Sequence, residues 1–195
     1  MSNKRATISW FPVSDEATWP DDLAALGARF KAEMGFVPNM LRGYAWRPDR
    51  CRAWFLHFRQ LHQPTEGLSA AEREMIAVVV SMVNRCAYCL VSHGAALRDE
   101  LGDPVLAERI ALDYRRAGLD DRRRAILDYA AKVTSSPTSC DESDVLRLRE
   151  LGLSQEEVWD VVELAAMYNF TNRLTMAAGL VPNAEDHYRA RSQPL

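Results

Sequence analysis

The segment from Glu74 to Gly94, EMIAVVVSMVNRCAYCLVSHG, concentrates side chains that can carry redox and acid–base chemistry. Cys86 and Cys89 form a CxxC pair, and His93 follows the second cysteine by four residues. If Cys89 and His93 share one helix, their Cβ atoms lie about 5–6 Å apart, because helical neighbours at this spacing share a face. The pattern therefore predicts a thiol nucleophile beside an imidazole base.

The CxxC spacing favours a redox role over a structural one. Cys86 lies near an expected helix start, where the partial positive charge of the N-terminus favours a thiolate. A disulfide across so short a loop stabilises a fold by only roughly 2 kcal/mol, against about 4–5 kcal/mol for a long loop. The alternative is a pair of small apolar core side chains. No metal is expected, because Cys86, Cys89 and His93 lack a second CxxC or HxxxH to complete a zinc site.

Glu74 is the most informative residue of the segment, because a carboxylate in an apolar helix is costly unless it is paired or functional. Lowering a thiol pKa from about 8.5 to about 6 raises the thiolate fraction some thirty-fold but lowers nucleophilicity about thirteen-fold. The lower pKa alone therefore speeds thiol attack only about twofold at pH 7. If the thiol reduces a peroxide, breaking the O–O bond also needs a general acid, and we assign this proton relay to His93 backed by Glu74. The alternative is an ion pair of Glu74 with Arg85 or Arg98.

Several other polar residues are interpreted without a site assignment. Cys51 and Cys140 have no local partner and are interpreted as a core and a loop residue. His57 and His62 lie on an amphipathic segment, where partial burial or surface exposure is usual. Four polar residues interrupt the apolar pattern of the last helix and are interpreted as lining a pocket, forming an inter-subunit seam or capping the core: Tyr168, Asn169, Asn172 and Arg173.

Composition and charge exclude several classes of partner. The chain has 195 residues, of which 48% are hydrophobic, and a formal net charge of −3. This balance provides no basic field for nucleic acid or an anionic membrane surface, so neither is expected as a partner. No stretch approaches the roughly 20 apolar residues of a membrane span, and the N-terminus lacks a signal-peptide pattern. We expect a cytoplasmic protein without a disulfide framework.

The elements that must position these groups are predicted to be helices. Apolar residues at helical spacing, two S-x-x-E capping boxes, and Pro and Gly at the ends predict helices over 21–34, 48–62, 69–83, 87–100, 104–116, 120–133, 141–151 and 154–179. The one sheet-like signal, Ala6–Phe11, is too short to build a sheet. We predict an all-α bundle forming one domain over residues 1–195, with two similar helical halves.

The site segment resembles a known family. Its E-x11-C-x-x-C-x3-H pattern is that of the AhpD-like alkylhydroperoxidases, within the carboxymuconolactone decarboxylase superfamily. Glu74, Cys86, Cys89 and His93 match its positions, and FVPNML and NFTNRL resemble the peroxidase-related branch. The resemblance implies Cys89 as the peroxidatic cysteine, Cys86 as the resolving cysteine, and Glu74 with His93 as the relay. Tyr88 stands where AhpD has a histidine, so this part of the relay is either absent or replaced by the phenol, which can donate or accept a hydrogen bond but is a poor base at pH 7. Tyr88 is therefore included among the candidate catalytic residues.

The resemblance implies a thiol-dependent peroxidase that reduces hydrogen peroxide or organic hydroperoxides without haem, flavin or metal. Its disulfide would be reduced by an external dithiol, such as a lipoyl or thioredoxin-like protein. The family also implies a homo-oligomer, a trimer or hexamer. Two alternatives remain: a non-catalytic oxidant-sensing assembly protein, and a carboxymuconolactone-type decarboxylase, whose branch generally lacks this CxxC.

Overall fold

The computed structural model describes residues 7–191, and within this range the chain contains helices and no strands. The α-helices of the described residues are α1 (Asp21–Met34), α2 (Asn39–Tyr44), α3 (Pro48–Leu61), α4 (Ala70–Val83), α5 (Ala87–Leu101), α6 (Pro104–Asp113), α7 (Asp121–Ser135), α8 (Glu142–Glu150) and α9 (Gln155–Ala177). The predicted all-α class is confirmed.

Local capping explains where the two central helices begin. At α4, the Ser69 side chain accepts from the Glu72 backbone N–H, and the Glu72 carboxylate accepts from the Ser69 N–H. Ser154 and Glu157 make the same reciprocal pair at the start of α9. Each box satisfies two backbone donors that a helix N-terminus otherwise leaves without partners. Both predicted capping boxes are therefore confirmed.

Helix α4 is the centre of the bundle. Its residues Met75–Val80 are at most 1% exposed, because α5, α7 and α9 pack around it. A helix that is apolar on all sides is stable only when neighbouring helices surround it. This central position brings Glu74 into the protein interior.

Two elements differ from the sequence prediction. Residues 35–39 were expected to form only a turn, but Asn39 begins the short helix α2. The Asn39 amide donates to the Val181 carbonyl at 2.9 Å, so a distant segment holds this helix in place. Helix α6 was predicted to continue to Arg116 but ends at Asp113. The Asp113 carboxylate accepts from the Arg115 N–H and starts a 3-10 turn instead.

The chain near the N-terminus forms no strand in its described part, and Ala6 lies outside the described residues. Instead, the Trp10 N–H donates to the Ala178 carbonyl at 2.9 Å, and the Val181 N–H donates to the Ile8 carbonyl at 3.0 Å. These bonds tie the two ends of the described chain together beside α9. Among the described helices, none has the length and apolarity to cross a membrane.

Candidate active site

The turn between α4 and α5 sets the position of the cysteine pair. The Cys86 N–H donates to the Ser81 carbonyl at 2.9 Å, and the Arg85 N–H donates to the Met82 carbonyl at 3.0 Å. These two bonds form a Schellman motif, in which Arg85 takes the left-handed conformation with φ of 56°. A residue with a β-carbon adopts this conformation at some cost, so the surrounding structure must hold it there. Cys86 thereby becomes the N-cap of α5.

Both sulfurs lie in the protein interior at the positive end of α5. Cys86 is 0% exposed and Cys89 is 1% exposed, and both contact the Thr175 hydroxyl of α9. The Sγ–Oγ1 distance is 3.1 Å for Cys86 and 3.7 Å for Cys89. The predicted pair is therefore close together, with one hydroxyl within reach of both sulfurs.

The lowered pKa favours Cys86 as the thiolate, whereas access to the cavity favours Cys89 as the nucleophile. The pKa of Cys86 is lowered to about 6, first by a hydrogen bond from the Cys89 thiol and further by the Thr175 hydroxyl, although burial opposes the shift. The pKa of Cys89 is raised, because its thiol donates that hydrogen bond and because it is buried. Only Cys89 of the pair lines the neighbouring cavity. Once the pair has lost one proton, the two sulfurs share the other, so the thiolate can form on Cys89, the sulfur that the cavity reaches.

Glu74 lies between two histidines. Its Oε2 is 2.8 Å from Nδ1 of His93, and its Oε1 is 3.3 Å from Nδ1 of His62. Burial alone raises the pKa of Glu74, but the charge and hydrogen bonds of His93 and His62 outweigh it and hold this pKa well below its ordinary value. An ionised carboxylate is therefore held inside the bundle by imidazole donors.

The expected alternative partners of Glu74 are engaged elsewhere. Arg85 is exposed, and Arg98 donates to the Asp186 carbonyl at 2.7 Å and the Arg189 carbonyl at 2.8 Å. An ion pair of Glu74 with Arg85 or Arg98 is therefore wrong, and His62, which the sequence left unassigned, lies in the site. His62 lies beside Glu74 because the end of α3 meets the first half of α4, where Arg73 also donates to the Leu61 carbonyl at 2.6 Å. Local spacing does not reveal this contact.

Tyr168 extends this chain of polar groups from α9. Its hydroxyl is 2.5 Å from Nε2 of His62 and 3.4 Å from Nδ1 of His93. Burial raises the pKa of Tyr168, so the phenol keeps its proton and can donate to His62. The tautomers follow by inference: both Nδ1 atoms carry hydrogen toward Glu74, and Nε2 of His93 is left with its lone pair. His93 can then take or give a proton at Nε2.

Tyr88 joins two helices beside the cysteine pair. Its hydroxyl accepts a hydrogen bond from the Met40 N–H at 2.8 Å, and burial raises its pKa above the ordinary phenol value. The phenol is therefore protonated at neutral pH and joins α5 to the start of α2. Tyr88 also lines the cavity, where its O–H is available as a donor.

A cavity of about 210 Å³ opens at the site. Cys89, His93 and Glu74 lie on its wall. Most of the other lining side chains are apolar: Phe30, Met34, Met40, Leu41, Trp54, Phe55 and Phe58. Three of these come from α3 and two from α1, so helices before the motif build the opposite wall.

Sequence reasoning missed five polar residues at the site: His62, Ser92, Thr171, Thr175 and Arg189. Of the four residues singled out in the last helix, Tyr168 reaches the relay, and Asn169 and Asn172 accept from the Asn84 amide at 3.0 and 2.9 Å. The isolated position of these four polar residues among the apolar residues of the last helix was the sequence signal that pointed to them. Within residues 7–191, no group of three or more His, Cys, Asp and Glu side chains is arranged to hold a metal ion.

Comparison with known proteins places the chain in a family. The carboxymuconolactone decarboxylase family profile matches residues 48–111. An AhpD-core alkylhydroperoxidase structure, an uncharacterised peroxidase-related protein from Ralstonia eutropha JMP134, is 37% identical with a TM-score of 0.93; the alignment covers 96% of this chain and 99% of that chain. The chain belongs to the AhpD-like peroxidase-related proteins.

A second peroxidase-related protein is similar in sequence and fold. The uncharacterised peroxidase-related protein from Silicibacter sp. TM1040 is 39% identical with a TM-score of 0.89, over 98% of this chain and 100% of that chain. The debrominase Bmp8 shares the AhpD-like fold, with a TM-score of 0.73 at 18% identity over 95% of this chain and 96% of that chain. No protein of curated function matches this sequence.

Proposed function

We propose that this AhpD-like protein is a thiol peroxidase in which Cys89 attacks the peroxide. One observation carries the proposal: Cys89 and the His93–Glu74 pair lie on the wall of one cavity. A peroxide in the cavity can thus meet a thiol and a proton carrier together. Attack requires the shared proton to move so that the negative charge lies on Cys89 and the proton on Cys86.

The proposed oxidation conserves atoms and protons. The Cys89 thiolate attacks the terminal oxygen of ROOH, the O–O bond breaks, and the alkoxide leaves with the electron pair. The proton that the cysteine pair loses on forming the thiolate is taken up by Nε2 of His93; the resulting imidazolium, stabilised by Glu74, then protonates the alkoxide to ROH. The Cys86 thiol then condenses with the Cys89 sulfenic acid and releases water, which leaves a Cys86–Cys89 disulfide. An external dithiol, such as a lipoyl or thioredoxin-like protein, reduces this disulfide.

The cavity favours an organic hydroperoxide over hydrogen peroxide. A volume of about 210 Å³ exceeds the roughly 150 Å³ of an apolar cavity that binds benzene, so one ring with a short substituent fits. Burying an aromatic or branched aliphatic group of this size stabilises a complex by roughly 1.5–3 kcal/mol. We therefore expect kcat/KM for cumene hydroperoxide to exceed that for hydrogen peroxide by at least about tenfold.

Steady-state peroxide consumption with a panel of dithiols tests the proposal. Cys89→Ser should abolish consumption, and Cys86→Ser should allow one oxidation that stalls as a sulfenic acid trapped by dimedone. Cys140→Ser is the matched control, because Cys140 lies outside the site. Dimedone labelling of Cys86 in the Cys89→Ser protein at the wild-type rate would reverse the proposed order.

The same assay distinguishes the two alternatives. A sensor protein would be oxidised once, with one equivalent of peroxide consumed whatever dithiol is present. A carboxymuconolactone-type decarboxylase would not depend on the cysteine pair, so Cys86→Ser and Cys89→Ser would retain its activity. Repeated turnover that requires both cysteines supports the peroxidase.

A further inference from the structure

The Thr175 hydroxyl is in contact with three groups at once. It lies 3.1 Å from Cys86 Sγ, 3.7 Å from Cys89 Sγ and 3.0 Å from the Asn172 carbonyl oxygen, and the residue is 0% exposed. A hydroxyl has one proton to donate and two lone pairs that accept. It therefore cannot donate to the carbonyl and to a sulfur at the same time.

The protonation state of the cysteine pair determines where that proton points. While the Cys86 thiol is protonated, it can donate to Thr175, and Thr175 donates to the Asn172 carbonyl. A thiolate has no proton to donate, so the Thr175 hydroxyl must turn toward it. After the hydroxyl rotates, the Asn172 carbonyl still accepts the helical hydrogen bond from the backbone N–H four residues later. The rotation therefore leaves no buried acceptor without a partner.

We infer that Thr175 is a catalytic residue that switches its hydroxyl proton from the Asn172 carbonyl to whichever cysteine of the pair carries the thiolate. The inference rests on the proposed thiol chemistry of this site. It applies to both halves of the cycle. During reduction, the dithiol thiolate bonds to one cysteine sulfur, the S–S bond breaks, and the other sulfur leaves with the electron pair as a thiolate. Thr175 is within reach of either one.

The surrounding structure holds Thr175 in place for this role. The Asn172 amide donates to Ser81 Oγ at 3.0 Å, and the Asn84 amide donates to Asn172 Oδ1 at 2.9 Å. These bonds join α9 to the end of α4 one helical turn before Thr175. The cysteine pair packs against apolar side chains that include Met40 and Leu174, and a low dielectric strengthens a hydrogen bond to charge.

The titratable and charged side chains near the pair come from four helices and from the segment after α9. They are Tyr44 of α2, Glu74 of α4, Tyr88 and His93 of α5, Tyr168 of α9, and Arg189. Substitution of Thr175 leaves all of them in place. A change in thiolate formation in a Thr175 variant therefore reports the hydroxyl itself.

The test is a pH titration of the reduced protein by thiolate absorbance at 240 nm. A Cys86→Ser/Cys89→Ser double variant provides the blank for Cys51, Cys140 and the tyrosines. Thr175→Val removes the hydroxyl with almost no change of shape, and Thr175→Ser keeps it. A hydrogen bond to a charged group corresponds to about one to two pH units, so we expect the first thiolate midpoint to rise by that amount in Thr175→Val and by less than about 0.3 units in Thr175→Ser.

The oxidation rate at one pH is a weak readout here. Raising a thiol pKa by about two units lowers the thiolate fraction about tenfold near neutral pH but raises nucleophilicity about eightfold, so the two effects nearly cancel. The diagnostic kinetic result is instead an upward shift of the whole pH profile of single-turnover oxidation in Thr175→Val.

An unchanged midpoint in folded Thr175→Val protein would overturn the inference, as would an equal shift in Thr175→Ser. If the valine variant fails to fold, Thr175→Ala against Thr175→Ser provides the same comparison. The titration needs no peroxide. A protein that shows the expected shift but consumes no peroxide would therefore contradict the proposed peroxidase while leaving the switching donor supported.

Discussion

Replacing Glu74 with glutamine separates the relay from a purely structural role. The carboxylate faces Nδ1 of His93 at 2.8 Å and Nδ1 of His62 at 3.3 Å. The amide keeps the size of the side chain but removes the negative charge that stabilises the His93 imidazolium during O–O cleavage. Two charges about 4 Å apart interact by about 4 kcal/mol at an effective dielectric of 20. We therefore expect single-turnover oxidation to slow by roughly 10³-fold, within the ~10²–10⁴-fold range of a general acid–base group.

The expected effect of Glu74→Gln on stability is much smaller. Both partners of Glu74 are imidazoles, which can become neutral and exchange tautomers, so the amide leaves no buried cation without a partner. We expect a loss of about 1–2 kcal/mol in the free energy of unfolding, for weaker hydrogen bonds, rather than the about 3–5 kcal/mol of a broken buried ion pair. Thermal unfolding and stopped-flow oxidation by cumene hydroperoxide on one preparation measure both quantities.

A matched control is available on the surface of α9. Glu163 faces His57 at 4.0 Å, and both side chains are substantially exposed, so Glu163→Gln makes the same chemical change outside the cavity. This control should leave the oxidation rate within about twofold, because an exposed pair contributes little. If Glu74→Gln retains oxidation within threefold of wild type in folded protein, the reasoning about the relay is refuted.

Three further predictions concern His62, acid stability and assembly. His62→Asn keeps an N–H near the position of Nδ1 for Glu74, whereas His62→Gln keeps a polar group near the position of Nε2 for Tyr168. We expect the rate of single-turnover oxidation to fall less than about tenfold in His62→Asn and more than about tenfold in His62→Gln. The reverse order would show that Tyr168 is the important partner of His62. The folded pKa of Glu74 is depressed, so the stability that its carboxylate contributes is present above the ordinary pKa of about 4.3 and is lost as the pH falls toward the folded pKa. The difference in unfolding free energy between wild type and Glu74→Gln should therefore shrink below about pH 4, by at most about 1.4 kcal/mol per pH unit. A difference that stays constant in denaturant titrations at acid pH would contradict the assigned ionisation. Trp159 and Phe170 of α9 are 65% and 51% exposed, which favours self-association. We expect a homo-oligomer in light scattering at micromolar concentration, a trimer or hexamer as the family resemblance implies, and a mass near the 22.0 kDa of one chain would count against it.

The sequence by itself predicted every α-helix of the described residues except α2, and it brought together the residues of the motif. Capping boxes at Ser69 and Ser154, and Gly35 and Gly102 in the left-handed conformation after α1 and α5, are local signals that act within a few residues. Cys86, Cys89, His93 and Glu74 lie on two consecutive helices joined by one tight turn. Their proximity therefore follows from short-range geometry.

The tertiary structure alone decided which groups complete the site. His62 reaches Glu74 from α3, Tyr168 reaches His62 from α9, and Thr175 reaches the sulfurs across a sequence separation of 86 residues or more. The tertiary structure also decided that the backbone N–H of Met40 in α2 donates a hydrogen bond to the Tyr88 hydroxyl. Periodicity shows which face of a helix is buried but not which residue of another helix lies opposite, because that depends on how α3, α4 and α9 pack. The identity of the second imidazole beside Glu74, and of the hydroxyl beside the thiols, is for this reason a property of the packed bundle.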